Sequence, residues 1–300
     1  MIQVMELLPQ LLEITPRVLI QEPMSKHTSF GIGGPADFFV TVRNRDELIR
    51  LLSLIQQYNI PFFTLGGGTN LVVRDGGIRG IIIKLGGEFT SIRVDDNIIH
   101  AGAGALLSKV VNIAAKNGLS GLEFAAGIPG TVGGAVVGNA GTQTGCIGDL
   151  INQVDVLSPN GKFEILSGNM VEFSYRNSNL RKYIVNNVEL LLTKQDFLGI
   201  ISVVNSILEK RQNAQPVGRG AGSIFKNPEG ASAWKLIENA GLKGMRMGGA
   251  YISLMHANFI LADKGTKAED VLGLIKYVQE RVKKDCGVEL AAEVIVIGEN

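Results

Sequence analysis

The sequence predicts an α+β fold with more than one subdomain, and three observations carry that reading. Stretches of strand-like and helix-like hydrophobic periodicity interleave from residue 38 onward. Two glycine-dense stretches, 65–71 and 127–141, each follow an apolar segment. The chain has 300 residues with 45% hydrophobic and 19% charged, enough for a sizeable core and too apolar for disorder.

The elements follow in order. Residues 38–42 read as a strand. Asn44 reads as the N-cap of a helix over 45–59, whose stripe is Leu48, Leu51, Leu52, Ile55 and Tyr58. Pro61 ends that helix, and a strand over 61–65 feeds Gly66-Gly67-Gly68. Strands at 71–73 and 78–85 flank the turn Asp75-Gly76-Gly77. This first organised unit is expected to begin near Thr28. A second carries strands at 91–94 and 97–101, then a helix over 106–117 closed by Gly118. Strands at 154–158 and 163–167 surround the turn Pro159-Asn160-Gly161; a strand at 185–192 and a helix at 200–212 follow. Residues 216–222 read as a loop at a domain boundary. The last unit has a helix at 233–240, a loop at 244–249 and a strand at 259–262. A long helix over 268–284 is expected to be capped by Thr266, with Glu269 at the capping-box position. A strand at 294–297 ends the chain. The expected domains are 1–86, 87–215 and 216–289, with residues 290–300 able to return to the first.

Composition excludes several function classes. A net charge of +1 gives no electrostatic case for nucleic acid or a polybasic membrane surface. Cys146 and Cys286 are too few for a disulfide framework or a zinc site, and His27, His100 and His256 do not cluster, so no metal is expected. Residues 1–12 hold no Lys or Arg ahead of their apolar residues and contain Glu6 and Pro9, unlike a targeting segment. No run of 18 apolar residues predicts a membrane span. The expectation is a soluble cytoplasmic protein, monomeric, without nucleic-acid or membrane partners.

The glycines are the most informative feature. There are 38, roughly twice the usual share of about 7%. A backbone without Cβ atoms can approach a ligand closely and turn successive N–H groups into an anion-binding nest. Two such loops, each with an Asn, point to a dinucleotide held from both sides. Gly31-Ile32-Gly33-Gly34-Pro35-Ala36 mimics the Rossmann fingerprint, but Lys26-His27-Thr28-Ser29 precedes it and a strand follows, which is the wrong context. Three polar constellations stand outside the glycines. Tyr175-Arg176-Asn177-Ser178 lies between apolar segments, and Ser223 sits among small residues ahead of Lys226 and Asn227. Glu293 lies inside Leu290–Val296, a stretch read as apolar strand; burial there would favour its protonated form.

Thr28-Ser29-Phe30, Gly33-Gly34-Pro35-Ala36, LGGGTNL at 65–71, GIPGTVGGA at 127–135, YRNS at 175–178, GSIFKNP at 222–228 and Glu293 together resemble the UDP-N-acetylmuramate dehydrogenase family. The resemblance runs in order from about Ser25 to Gly298. It implies a two-subdomain FAD-binding module of the vanillyl-alcohol oxidase type plus a C-terminal α+β substrate-binding domain. It further implies non-covalent FAD, NADPH as hydride donor and UDP-N-acetylglucosamine enolpyruvate as substrate. Matched motif by motif, it puts Leu65, Gly66, Gly67, Gly68, Thr69, Asn70 and Leu71 on the cofactor. Gly127, Pro129, Gly130, Thr131, Gly133, Gly134, Ala135, Asn139 and Gly141 fall on the cofactor too. Arg176, Ser223 and Glu293 become catalytic, with Ser223 as proton donor, and Tyr175, Lys226 and Asn227 contact substrate.

The chain departs from the family pattern at Ala291, Ala292 and Ile295, where relatives usually carry Glu-Pro before the glutamate and often Arg after it. The segment Gly141-Thr142-Gln143-Thr144-Gly145 also differs, and no tyrosine-bearing insertion follows Arg176, as in the shorter subclass. A flavin oxidase using O₂, with His27 as the candidate tether, and a non-catalytic nucleotide-binding module are the competing readings.

Overall fold

The computed structural model describes residues 4–300, so the reading of the first three residues as part of a non-targeting terminus lies outside the described residues. The described chain divides into two units. One comprises the residues through Ile20, Phe38–Gly67 and Gly80–Arg211; the other comprises Gln21–Asp37, Gly68–Arg79 and Gln212–Asn300. Each has its own hydrophobic core.

The first unit opens with the helix Val4–Ile14, which buries Leu7, Leu11 and Ile14 and packs with the helix Arg45–Tyr58. Organised structure thus starts well before Thr28. Pro9 lies inside this first helix and conceals it from a pattern reading. The Arg45–Tyr58 helix starts as expected: Asn44 Oδ1 accepts the Glu47 N–H at 2.9 Å. It ends at Asn59, which adopts φ +48°. The strand Phe62–Leu65 then pairs in parallel with Ile78–Leu85, setting Leu65 beside Lys84. An antiparallel five-stranded sheet follows in the order Phe163–Ser167, Ile151–Leu157, Ile184–Leu191, Ile98–Gly102, Ile92–Asp95. Val154, Val156, Val188, Leu190, Ile99 and Ala101 fill its buried positions. The second glycine stretch contains the short helix Val132–Val137; Thr131 caps it by accepting the Gly134 N–H at 3.4 Å.

In the second unit, Pro35 to Asp37 opens a strand rather than a helix, so the Rossmann mimic is no Rossmann turn. An antiparallel sheet runs Gly220–Ser223, Phe259–Ala262, Ala250–Ile252, Arg246–Met247. Two expected loops therefore carry strand: 216–222 from Gly220 onward, and 244–249 at Arg246–Met247. The helix Ala268–Cys286 buries Val271, Leu274, Ile275, Val278 and Val282. Its cap differs from the expectation. Lys267 is the N-cap residue, and its N–H donates to Asp270 at 3.3 Å. Asp75 accepts the N–H groups of Ala268 (2.9 Å) and Glu269 (3.0 Å), while the Thr266 hydroxyl turns back to the Asp263 carbonyl. A carboxylate facing the first-turn N–H groups suits the helix dipole better than a hydroxyl. The C-terminal strand Ile295–Ile297 pairs in parallel with Leu71–Val73. Among the described residues, no helix is long and apolar enough to cross a membrane.

Candidate active site

Within the first unit the two glycine stretches meet. A Cβ on Gly66 would stand 2.8 Å from Thr131 Oγ1 and 3.9 Å from Gly134 Cα. Gly66 is further held from below, because the Lys84 ammonium donates to its carbonyl. Burial pushes that ammonium below the usual lysine range. Most glycines of the second stretch serve the protein's own packing. A Cβ on Gly133 would come within 2.9 Å of Ala103, and one on Gly141 within 2.6 Å of Cys146. Leu65 and Ala135 are buried, and the Gly130 carbonyl accepts the Leu107 N–H. Gly67, Gly127 and Gly134 are exposed. A Cβ on Gly134 would find only Thr131 Oγ1, at 3.6 Å, within 4 Å.

Asn139 is buried and adopts φ +45°. Its Oδ1 accepts the Gly148 N–H at 3.1 Å, and its amide donates to the Ser174 carbonyl at 3.0 Å. It thereby steadies the hairpin in which Phe173–Ser174 pairs with Asn177–Ser178. The two-residue turn of that hairpin is Tyr175-Arg176. Arg176 adopts φ +56°, a left-handed conformation rare for a residue with a long side chain, and its guanidinium lies 5.1 Å from the centre of the Tyr175 ring. Strain of this kind gathers at functional sites. A second guanidinium was not singled out from sequence. Arg211 Cδ would be 2.8 Å from a Cβ on Gly127, and burial together with the charge on Arg176 pushes Arg211 below the usual arginine range. Arg211 thus stands against a cofactor-matched loop and feels the charge of Arg176, a concentration of positive charge that favours anions.

In the second unit the backbone around Glu293 pairs with the residues that follow Ser223. Ser223 ends the strand Gly220–Ser223 and pairs with Phe259. The Glu293 N–H donates to the Ile224 carbonyl at 2.8 Å, Phe225 bridges to Ala292, and the Lys226 N–H donates to the Ala291 carbonyl at 2.9 Å. Glu293 departs from expectation. It precedes the strand, which starts at Ile295, and it is only partly buried; the enclosed side chain is that of Val294. The bridge at Ala292 interrupts the strand that continuous apolarity predicted. Ala291, Ala292 and Ile295 all act through backbone groups, so their departure from the family pattern leaves this pairing in place. Asn258, which sequence reading passed over, is buried and fixes the stretch after Ser223 by accepting the N–H groups of Ile224 and Phe225. Asn227 Oδ1 accepts the Ala233 N–H at 3.0 Å.

Gly68, Thr69, Asn70 and Leu71 also belong to the second unit. Gly68 has φ +63°, and a Cβ there would collide with the His27 carbonyl at 1.9 Å. The Asn70 amide donates to the Glu293 carbonyl at 3.1 Å. His27, the candidate flavin tether, has its ring 3.0 Å from the Glu22 carboxylate.

Comparison with known proteins bears on these assignments. A profile described as the C-terminal domain of UDP-N-acetylenolpyruvoylglucosamine reductase matches residues 212–297, and one described as an FAD binding domain matches residues 36–167. The UDP-N-acetylenolpyruvoylglucosamine reductase of Caldanaerobacter subterraneus subsp. tengcongensis is 44% identical over 286 residues, covering 94% of each chain. That of Moorella thermoacetica is 44% identical over 285 residues, again 94% of each. The crystal structure of the Thermus caldophilus UDP-N-acetylenolpyruvylglucosamine reductase superposes with a TM-score of 0.82 at 38% identity, over 93% of this chain and 98% of that one. A Phl p 4 variant described as a glucose oxidase shares the fold alone, with a TM-score of 0.51 at 13% identity over 73% of this chain and 52% of that one.

Proposed function

The chain belongs to the UDP-N-acetylenolpyruvoylglucosamine reductase family, and on that premise we propose that Arg176, Ser223 and Glu293 carry its chemistry. The reaction is the NADPH-dependent, FAD-mediated reduction of UDP-N-acetylglucosamine enolpyruvate to UDP-N-acetylmuramate, a precursor of peptidoglycan. The observation that carries the assignment is the backbone bridge from Glu293 to Ile224. It ties the backbone of Glu293 to the residue that directly follows Ser223, the serine that similarity makes a proton donor.

The residues present fit FAD. Gly66 meets Thr131, the face of Gly134 is open, and the neighbouring glycines hold the two loops in shape. Bound FAD supplies hydride transfer from NADPH to the substrate double bond. The other steps belong to side chains. Hydride arriving at the substrate CH₂ carbon drives charge onto the adjoining carboxylate. Arg176 answers that charge with a fixed, planar cation, and Glu293 answers it with an acidic proton. The remaining carbon then takes its proton from the Ser223 hydroxyl. Serine is a weak acid, so the basicity of the enolate provides the driving force. Lys226 and Asn227 are matched to the diphosphate; Asn227 would donate from its amide nitrogen, since its Oδ1 accepts from Ala233. The reading extends to a monomer in the cytoplasm, where NADPH and nucleotide-sugar precursors are available.

Ser223→Ala tests it. Reoxidation of the reduced enzyme by the enolpyruvyl substrate should slow by about 10²–10⁴, the usual worth of a general acid, while bleaching by NADPH changes far less. Stopped-flow traces in which both half-reactions slow alike would make the serine structural.

A further inference from the structure

We infer that Asn70 is a positioning residue for Glu293, so that one side chain of the first glycine stretch sets the place of the acid. The inference rests on the proposed role of Glu293 as that acid. The parallel pairing of Leu71–Val73 with Ile295–Ile297 stops at Leu71 and Ile295. Asn70 carries it further by two hydrogen bonds. Its carbonyl accepts the Ile295 N–H at 3.0 Å, and its side-chain amide donates to the Glu293 carbonyl at 3.1 Å. An amide side chain thus continues a backbone ladder where the chain has left the strand. The other side of Glu293 is held as well, since its N–H donates to the Ile224 carbonyl at 2.8 Å.

The acid is therefore fixed at both peptide groups, once by Ile224 and once by the glycine stretch. The anchor at the Asn70 end is stiff. Two residues earlier, the Gly68 carbonyl accepts both the N–H and the hydroxyl of Ser29, and the His27 carbonyl blocks any side chain on Gly68. Stiffness matters because a displacement of about 1 Å in a reacting group can cost about 10²-fold in rate. Glu293 is only partly buried, so packing alone does not hold it.

A mutant cycle tests this, with Asn70→Ala and Asn70→Asp each made in the wild type and in Glu293→Gln. All four variants are compared with their parents at saturating FAD, with the FAD dissociation constant measured separately by flavin fluorescence. Loss of one such hydrogen bond is worth up to about tenfold. Asn70→Ala should slow single-turnover reoxidation by about that factor when Glu293 is present, and by under about twofold in Glu293→Gln. The effect should fall on kcat more than on the substrate KM. Asn70→Asp, which aims a carboxylate at the Glu293 carbonyl, should be worse than alanine in the wild type only. Equal losses in both backgrounds, or a loss that tracks the FAD dissociation constant, would overturn the positioning role. Glu293→Gln reoxidising at the wild-type rate would instead overturn the acid assignment on which the inference rests.

Discussion

Phe225 and Asn258 hold each other through a reciprocal pair of hydrogen bonds. The Phe225 N–H donates to Asn258 Oδ1 at 2.9 Å, and the Asn258 amide donates to the Phe225 carbonyl at 2.8 Å. Both residues are buried, and Asn258 is only 4% exposed. The Asn258 carbonyl accepts the Ile224 N–H in addition. One asparagine therefore shapes the two residues that follow Ser223. Asn258→Ala should strand two buried backbone groups at about 1–3 kcal/mol each, a total of roughly 2–6 kcal/mol by urea unfolding. A loss below about 1 kcal/mol would mean that water or a rearranged loop replaces the pair.

His256 gives the same corner a pH dependence. The Asn258 N–H donates to His256 Nδ1 at 3.2 Å, which requires that nitrogen to be unprotonated. The ring packs edge-on against Phe259 at 4.8 Å between centres, and burial pushes its pKa below the usual histidine range. The folded state therefore binds the proton more weakly than the unfolded chain. The stability from the neutral ring is complete above the unfolded value of about 6.5, and it is lost as pH falls from there through the lowered folded value. His256→Gln removes the titration. The stability difference between wild type and variant should stay flat above about pH 7.5 and shrink toward pH 5. A difference that does not vary with pH would remove His256 as the titrating group.

The glycines divide into two classes by what surrounds them, and substitution should separate the classes. Gly134 is exposed and its face is open, as expected of backbone reserved for a ligand, and Gly67 is the exposed member of the first triplet. Gly133 and Gly68 are closed by Ala103 and by the His27 carbonyl. Gly67→Val or Gly134→Val should give folded protein with little bound flavin. Gly133→Val or Gly68→Val should lower the melting temperature even of the flavin-free protein. Normal flavin content in both members of the first class would contradict the cradle.

The reach of sequence reasoning follows the range of the forces involved. Local signals were legible: the strands at 163–167 and 259–262 stand where periodicity puts them, and Asn44 caps its helix. The two glycine stretches sixty residues apart point to a dinucleotide held from both sides; the contact of Gly66 with Thr131 is not part of that reading. What failed was decided from a distance. Asp75 caps a helix 193 residues away, a partner that no capping pattern around Thr266 contains. The Val132–Val137 helix was hidden because its glycines argue locally against a helix, while the Val132 and Gly133 N–H groups bond to the carbonyls of Ala105 and Ala103. Glu293 looked like a strand residue until Ile224 claimed its N–H. Lys84 and Asn258 gave no signal at all, since their roles exist only through Gly66 and Phe225.

Arg176 tests whether strain in the Tyr175-Arg176 turn is maintained for function. A non-glycine residue in the left-handed region costs about 1–2 kcal/mol, and glycine there costs almost nothing. The Arg176 stack on the exposed Tyr175 ring returns about 0.5–1 kcal/mol, less than or comparable to the strain. Arg176→Gly should therefore leave the protein as stable as wild type or more so, by up to about 1 kcal/mol in urea unfolding. It should also nearly abolish reoxidation by the enolpyruvyl substrate, because the cation proposed to meet the charge driven onto the substrate carboxylate is gone. Arg176→Lys separates charge from shape: it keeps the charge and the strain but loses the planar fork, so its reoxidation rate should fall between those of wild type and glycine. If the glycine variant is instead clearly less stable, the arginine is a structural part of the hairpin. If it also turns over substrate normally, the fixed cation of the reaction must be sought elsewhere, and Arg211 beside Gly127 is the residue to replace next.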